Sequence, residues 1–243
     1  MNRIIAIIFA LVLGAAGLPA AAENAAAGEP AAAEKAAGSA AGRGAGSAEM
    51  GALEVEVTLH PEEYRALLSR FVQADTTLTP AEVEKVYYGF PFTCAYEPRD
   101  SFPALREAFD SGDYREAARL LPEALELNPV SLDLLVMAMA VYDAAPGGEA
   151  DRRSLNASLR SDMIASAILE SGRGTIAPSP FRVICRKDME RILRNVLGVG
   201  VIVGVTHAGK VFAVKFRFPG KLREHILYFD NSLEENFLST HPL

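Results

Sequence analysis

The sequence predicts an α+β fold: N-terminal helical hairpins packed with a small C-terminal antiparallel sheet. Three observations carry that prediction. Between Pro61 and Glu170 apolar residues recur at steps of three and four, the period of helices with one buried face. Leu132–Tyr142, LDLLVMAMAVY, is apolar except for Asp133, as expected of a helix buried all round. In Val211–Phe218, Val211, Ala213, Lys215 and Arg217 alternate with Phe212, Val214, Phe216 and Phe218, the pattern of a strand with one core face.

Taken in order, residues 1–22 read as a secretory signal peptide. Arg3 supplies the positive start, an apolar run follows to Leu18, and Pro19–Ala22 offers a small-residue cleavage site after Ala22. The run is about 15 residues, short of the roughly 20 that span a bilayer. The sequence therefore predicts an exported protein, periplasmic or extracellular, with no transmembrane anchor after cleavage. Residues 23–51 are almost entirely Ala, Gly, Glu and Ser and read as a disordered linker, too poor in apolar surface to offset the entropy of ordering. A single domain is expected over 52–243, helical over about 60–172 and α/β over about 180–238. The net charge is −7, and an acidic chain with scattered bases argues against nucleic-acid binding.

Leu53–Leu59, LEVEVTL, alternates apolar and polar and predicts a strand that could join the sheet. Pro61 opens a helix with Tyr64, Leu67, Leu68 and Phe71 on one face. Thr79-Pro80-Ala81-Glu82 has the threonine cap, first-turn proline and third-position glutamate of a helix start, and Gly89 is expected to end that helix. In Gly112–Pro129, GDYREAARLLPEALELNP, a buried face of Tyr114, Ala117, Ala118, Leu121, Ala124 and Leu125 is expected, with Pro122 kinking or splitting the helix. A longer helix should run from about Arg152 to Glu170 and stop at Gly172. Beyond Pro180, Phe181–Cys185 reads as a strand, Asp188–Leu197 as a short helix, and Val199–Thr206, Val211–Phe218 and His225–Phe229 as three strands. Ala208-Gly209 and Pro219-Gly220 supply the turns.

Two resemblances follow from these residues. Gly112-Asp113-Tyr114 with Ala117, Leu121, Ala124 and Pro129 resembles the tetratricopeptide helical hairpin, although one 34-residue period on from Tyr114 is Gly148 rather than an aromatic. Asp75–Thr79 (DTTLT), Glu82, Tyr87-Tyr88-Gly89, the Gly-Asp-Tyr hairpin, Ser171-Gly172-x-Gly174-Thr175 and Tyr228-Phe229-Asp230 together resemble the domain of unknown function 4919 family, over about Tyr64 to Leu238. The resemblance implies a protein exported by Gram-negative bacteria, with a helical region followed by an α+β end, and brings no catalytic residues. Where the family carries an acidic residue between the two loop glycines, this chain has Arg173.

No motif assigns catalytic, cofactor-binding or metal-binding residues. Gly198-x-Gly200-x-x-x-Gly204 lies in a strand and has the wrong spacing for a phosphate loop. His60, His207, His225 and His241 form no close pair. Cys94 and Cys185 suit a disulfide in an oxidising compartment, closing a loop of about 90 residues worth roughly 4–5 kcal/mol in the chain-entropy model, two buried thiols, or a nucleophile whose base the sequence does not name. Arg182, Arg186, Lys187, Arg191 and Arg194 read as a mostly solvated basic face. Tyr87, Tyr88, Phe92 and Tyr96 either plug the end of the helical stack or line a recognition groove. The function expected is a non-catalytic interaction or scaffold module of the cell envelope with a protein or peptide partner. The alternative is an envelope hydrolase in which His225 and Asp230 converge at the helix–sheet junction.

Overall fold

The computed structural model describes residues 47–99, 101–144, 147–208 and 210–242. The leader expected at 1–22 and most of the linker expected at 23–51 lie outside them, as does Gly209 of the first hairpin turn. The helices are α1 (Ser47–Leu59), α2 (Pro61–Val72), α3 (Pro80–Gly89), α4 (Pro103–Asp110), α5 (Tyr114–Leu127), α6 (Leu132–Ala144), α7 (Gly148–Glu170), α8 (Arg186–Arg191) and α9 (Ser232–Thr240). The strands are β1 (Phe181–Arg182), β2 (Val201–Ala208), β3 (Val211–Arg217) and β4 (His225–Asp230).

The expected strand at Leu53–Leu59 is instead helical, and Ser47–Gly51, assigned to the linker, open the same helix. Alternation puts Leu53, Val55, Val57 and Leu59 on one face of a strand. In the helix Met50, Leu53 and Val57 turn towards the core while Val55 and Leu59 stay exposed. Glu56 pairs with Lys85 of α3 at 2.5 Å, which fixes α1 along α3. The apolar content fits either period, and packing on α3 decides between them.

The run Asp75–Thr79 forms the turn between α2 and α3. Asp75 accepts from Thr77 N and Thr77 Oγ1 at 2.9 and 2.6 Å, closing the turn. Thr79 caps α3 through Glu82 N while Glu82 reaches back to Thr79 N at 2.7 Å, a reciprocal capping box. Arg70 bridges Asp75 and Glu82 at 2.8 and 2.9 Å. The bonds from Thr77, with Arg70 beside them, hold the Asp75 carboxyl down to about 2. Gly89 has φ −80, so it ends no helix by its conformation, and the chain passes straight into a 3₁₀ turn at Phe90–Phe92. Its role is close approach: a Cβ there would sit 2.8 Å from the Tyr64 ring and 3.0 Å from Val57.

Gly112 takes φ +78 and Asp113 caps α5 through Glu116 N at 3.0 Å, as the hairpin signature requires. Ala117, Leu121 and Ala124 are buried, but Tyr114 stays exposed and packs its ring against Phe109. Pro122 does not split α5, which runs through it as one helix. α5 packs on α4 and α6, and α6 on α7. The core helix α6 is buried along most of its length.

The sheet order is β1-β4-β3-β2. It is mixed rather than antiparallel, because β1 pairs parallel with β4 while β2–β3 and β3–β4 are antiparallel. β1 is only two residues long. It is the first part of the strand expected at Phe181–Cys185, and it lies at one edge of the sheet. Phe212, Val214 and Phe216 of β3 and Leu227 and Phe229 of β4 face inward and join one apolar core with α2 through α8. The expected helix at Asp188–Leu197 is α8 followed by a π turn at Ile192–Val196.

Candidate functional site

Of the two readings of Tyr87, Tyr88, Phe92 and Tyr96, a plug in the helical stack or a surface groove, the groove does not form, because the tyrosines point into the protein. Tyr87 is 0% exposed, and Tyr88 and Tyr96 are also buried, while Phe92 is half-buried. The Tyr87 hydroxyl donates to Asp188 Oδ2 at 2.8 Å and accepts from Ile184 N at 3.2 Å. Tyr88 OH lies 3.3 and 3.1 Å from the carbonyls of Ala167 and Arg182, and Tyr96 OH donates to Ile184 O. These residues sew the helices to the segment 182–188. A buried hydroxyl needs a partner, and each finds one there.

Asp188 is the centre of that seam and is 0% exposed. Its Oδ1 accepts from Leu132 N at 3.0 Å. The first N–H groups of a helix have no partner within it, so a buried helix start must find one elsewhere. Ser131 Oγ takes Leu134 N at 3.2 Å, and Asp188 takes Leu132 from across the core, where a carboxylate also suits the helix dipole. Burial pushes the Asp188 carboxyl up to about 7, against the opposing bond from Tyr87, with Asp133 nearby adding repulsion. Asp133, also buried, is bonded by Arg106 of α4 at 2.8 Å and by Arg191 of α8 at 2.6 Å. Arg191 is thus drawn inward rather than left on a basic face, and Arg182 lies mostly covered beside Asp230 at 3.6 Å.

A carboxyl titrating near neutrality often marks acid–base chemistry. Here both oxygens are engaged in holding elements together, and the adjoining cleft has room for about 30 Å³, far below the few hundred a substrate needs. The seam is structural. Cys185 is buried there, its thiol pushed up chiefly by burial, while Cys94 is exposed. Both are free, so the structure contains no bond between them: Cys185 faces inward towards Asp188 and Cys94 stands on the surface turn after Phe92. His225 and Asp230 lie at opposite ends of β4 and on opposite faces. His225 stacks on Phe216 and meets Phe218 edge-on, and Asp230 accepts from Ser232 N. The convergence required of the hydrolase alternative does not occur.

The arrangement best suited to a ligand lies elsewhere. An open cleft of about 430 Å³ runs between α5, α6 and α7, with Pro122, Leu125 and Tyr142 as its apolar wall and Arg152, Arg153 and Arg160 as its charged one. Glu149 pairs with Arg152 and Arg153 at 2.5 and 3.1 Å, and the Arg153 guanidinium stands 5.8 Å from the centre of the Tyr142 ring. Arg160 is 4% exposed. The sequence carried a signal for it: Ala157, Ile164 and Ile168 mark the inward stripe of α7, and Arg160 falls on that stripe at the step where an apolar residue belongs. A second cleft of about 330 Å³, between the start of α3 and α7, is lined by Leu78, Val83 and Met163 with Asp162 and Glu170 at its rim. Among the described residues no group of three or more His, Cys, Asp or Glu could hold a metal ion, and no helix is long and apolar enough to cross a membrane.

No curated protein and no solved structure matches the chain. The family model described as Domain of unknown function (DUF4919) does match, over residues 53–235, from within α1 to within α9. That span takes in the capped turn before α3, the α4–α5 hairpin, the loop after α7 and the whole sheet, and the chain belongs to this family.

Proposed function

We propose that the protein is an exported, non-catalytic interaction module of the bacterial cell envelope that holds a peptide or protein segment on its helical face. The observation that carries this reading is the cleft between α5, α6 and α7. Its volume of about 430 Å³ is in the range of ligand sites, and it combines an aromatic, a proline and a leucine with three arginines. Arginine and tyrosine are the residues that protein interfaces favour. The buried carboxyl of Asp188 and the buried thiol of Cys185, both raised by burial, are engaged inside the fold and away from this surface.

Export is supported by the basic start, apolar run and small-residue site of residues 1–22. Amino-terminal sequencing of the protein recovered outside the cytoplasm is expected to begin at Glu23. Recovery of the intact chain, starting at Met1, from the cytoplasmic fraction would overturn this part.

Partner binding is tested by placing a photo-cross-linking amino acid at Leu125, inside the cleft, and at Leu155, which is exposed on α7 outside it. Irradiation of cells is expected to give a discrete adduct from position 125 at several times the yield from position 155. Equal yields at the two positions, or none, would remove the cleft from consideration as the partner surface.

A further inference from the structure

Among the described residues Arg160 is a buried cation without a counter-ion. Its Nη2 donates to the Pro129 carbonyl and its Nη1 to Asn156 Oδ1 at 3.2 Å, both neutral acceptors. Its Nε is buried with no hydrogen-bond partner, and the guanidinium stands over the Phe71 ring at 5.3 Å. Among the described residues no carboxylate lies within 4 Å of it, whereas Arg152 and Arg153 share Glu149. Taking a guanidinium out of water without an opposing charge is costly. Burial accordingly pulls its pKa down to about 10, which leaves it charged at neutral pH. The carbonyl bond to Pro129 explains why a donor is wanted between α5 and α6, and a neutral amide would serve that purpose. It does not explain a full positive charge at the wall of an open cleft.

We infer that the α5–α6–α7 cleft contains a carboxylate subsite centred on Arg160, filled by an acidic side chain or the terminal carboxylate of the bound peptide. The inference rests on the reading of this cleft as the partner surface. The planar donor fork of arginine matches a carboxylate. Arg152 and Arg153 stand on the same wall and add attraction at the rim. Three guanidiniums against the single carboxylate of Glu149 leave the cleft electropositive on a protein whose net charge is −7. The Pro122, Leu125 and Tyr142 side of the cleft then covers the apolar part of the same segment.

The test is an NMR titration of the arginine-labelled protein, following the Nε–H signal of Arg160, with sodium acetate, sodium phosphate and sodium chloride in separate arms. Acetate is expected to move that signal saturably, and chloride at equal ionic strength is not. Arg152→Gln and Arg153→Gln are each expected to weaken acetate binding roughly two- to fivefold, the size of a rim charge. In Arg160→Gln, checked for folding by its circular dichroism and followed through the Nε–H signals of Arg152 and Arg153, the saturable response to acetate is expected to be lost. Indistinguishable acetate and chloride curves would overturn the subsite. A saturable response to phosphate but not acetate would overturn the assignment to a carboxylate and make the site one for phosphate. If Leu125 still gives its adduct while acetate does nothing, the subsite fails and the partner surface stands. If acetate binds and no adduct forms, the reverse holds.

Discussion

Replacing Asp188 with alanine is expected to lower the stability of the fold by roughly 3–5 kcal/mol, read from urea unfolding followed by circular dichroism. The change strands two buried groups at once, the Tyr87 hydroxyl and the Leu132 N–H at the head of α6. Each costs about 1–3 kcal/mol when it loses its partner in the interior. Asp188→Asn keeps an oxygen for Leu132 and is expected to cost about 1 kcal/mol or less on the acidic side of neutrality. The same pair of variants exposes the titration. Burial raises the Asp188 carboxyl from 3.8 to about 7, with Asp133 adding to the rise and the bonds from Tyr87, Cys185 and Leu132 opposing it. Between those two values the folded protein keeps a proton that the unfolded chain has released. Stability therefore falls as pH rises from about 4 to about 7 and levels off above. Between pH 5 and pH 8 this group alone accounts for a loss on the order of 2–3 kcal/mol. Asp75, whose carboxyl is held down to about 2, works in the other sense but acts below about pH 4, outside that window. The loss should disappear in Asp188→Asn. A pH 5 to pH 8 difference as large in that variant as in the wild type would show that another group is responsible.

How much of this could be read from the chain depends on how far apart the interacting residues are. The capping box of Thr79 and Glu82, the Gly112-Asp113 break and the Phe212–Val214–Phe216 face are local patterns, and they form as the spacing requires. The α1 helix was misread because Leu53–Leu59 satisfies two periods. What selects the helix is contact with α3, remote in sequence. Asp188 opens the short helix expected at Asp188–Leu197, and no local pattern marks it as buried. Its burial is set by Tyr87, 101 positions away. The sequence leaves the same tyrosines between a buried plug and a surface groove, because aromatic density marks interfaces and cores alike. Arg160 is legible in the sequence as a charged residue on the otherwise apolar, buried stripe of α7, a local anomaly. The cleft around it was not legible, since its walls come from three helices.

Gly172→Ala is expected to cost the fold at least about 3 kcal/mol, and the reason is space rather than backbone conformation. The sequence places this glycine at the end of α7 as a stop signal. The helix in fact ends at Glu170 and is capped by Ser171, whose N–H bonds Ile168 O, and no positive φ is found at Gly172. A Cβ at that position would lie 2.0 Å from the Pro180 carbonyl oxygen and 3.0 Å from that of Ser179. Those are backbone atoms, and they have little freedom to retreat. Ser179 O accepts from both Arg173 N and Gly174 N at 3.0 and 2.8 Å. Ser171 Oγ takes Arg182 N at 2.7 Å, and Gly174 O takes Tyr228 N at 2.7 Å. Moving Pro180 aside therefore pulls on β1 and on β4 together. Gly112→Ala is the control. Gly112 has φ +78 and open space around its Cβ position, so alanine there meets only the left-handed penalty of about 1–2 kcal/mol. Urea midpoints of the two variants should differ clearly, with Gly172→Ala the weaker or failing to fold. Equal losses in the two would mean that the loop after α7 yields easily, and that the first glycine of the Ser171–Thr175 motif is not held there by the approach of Pro180.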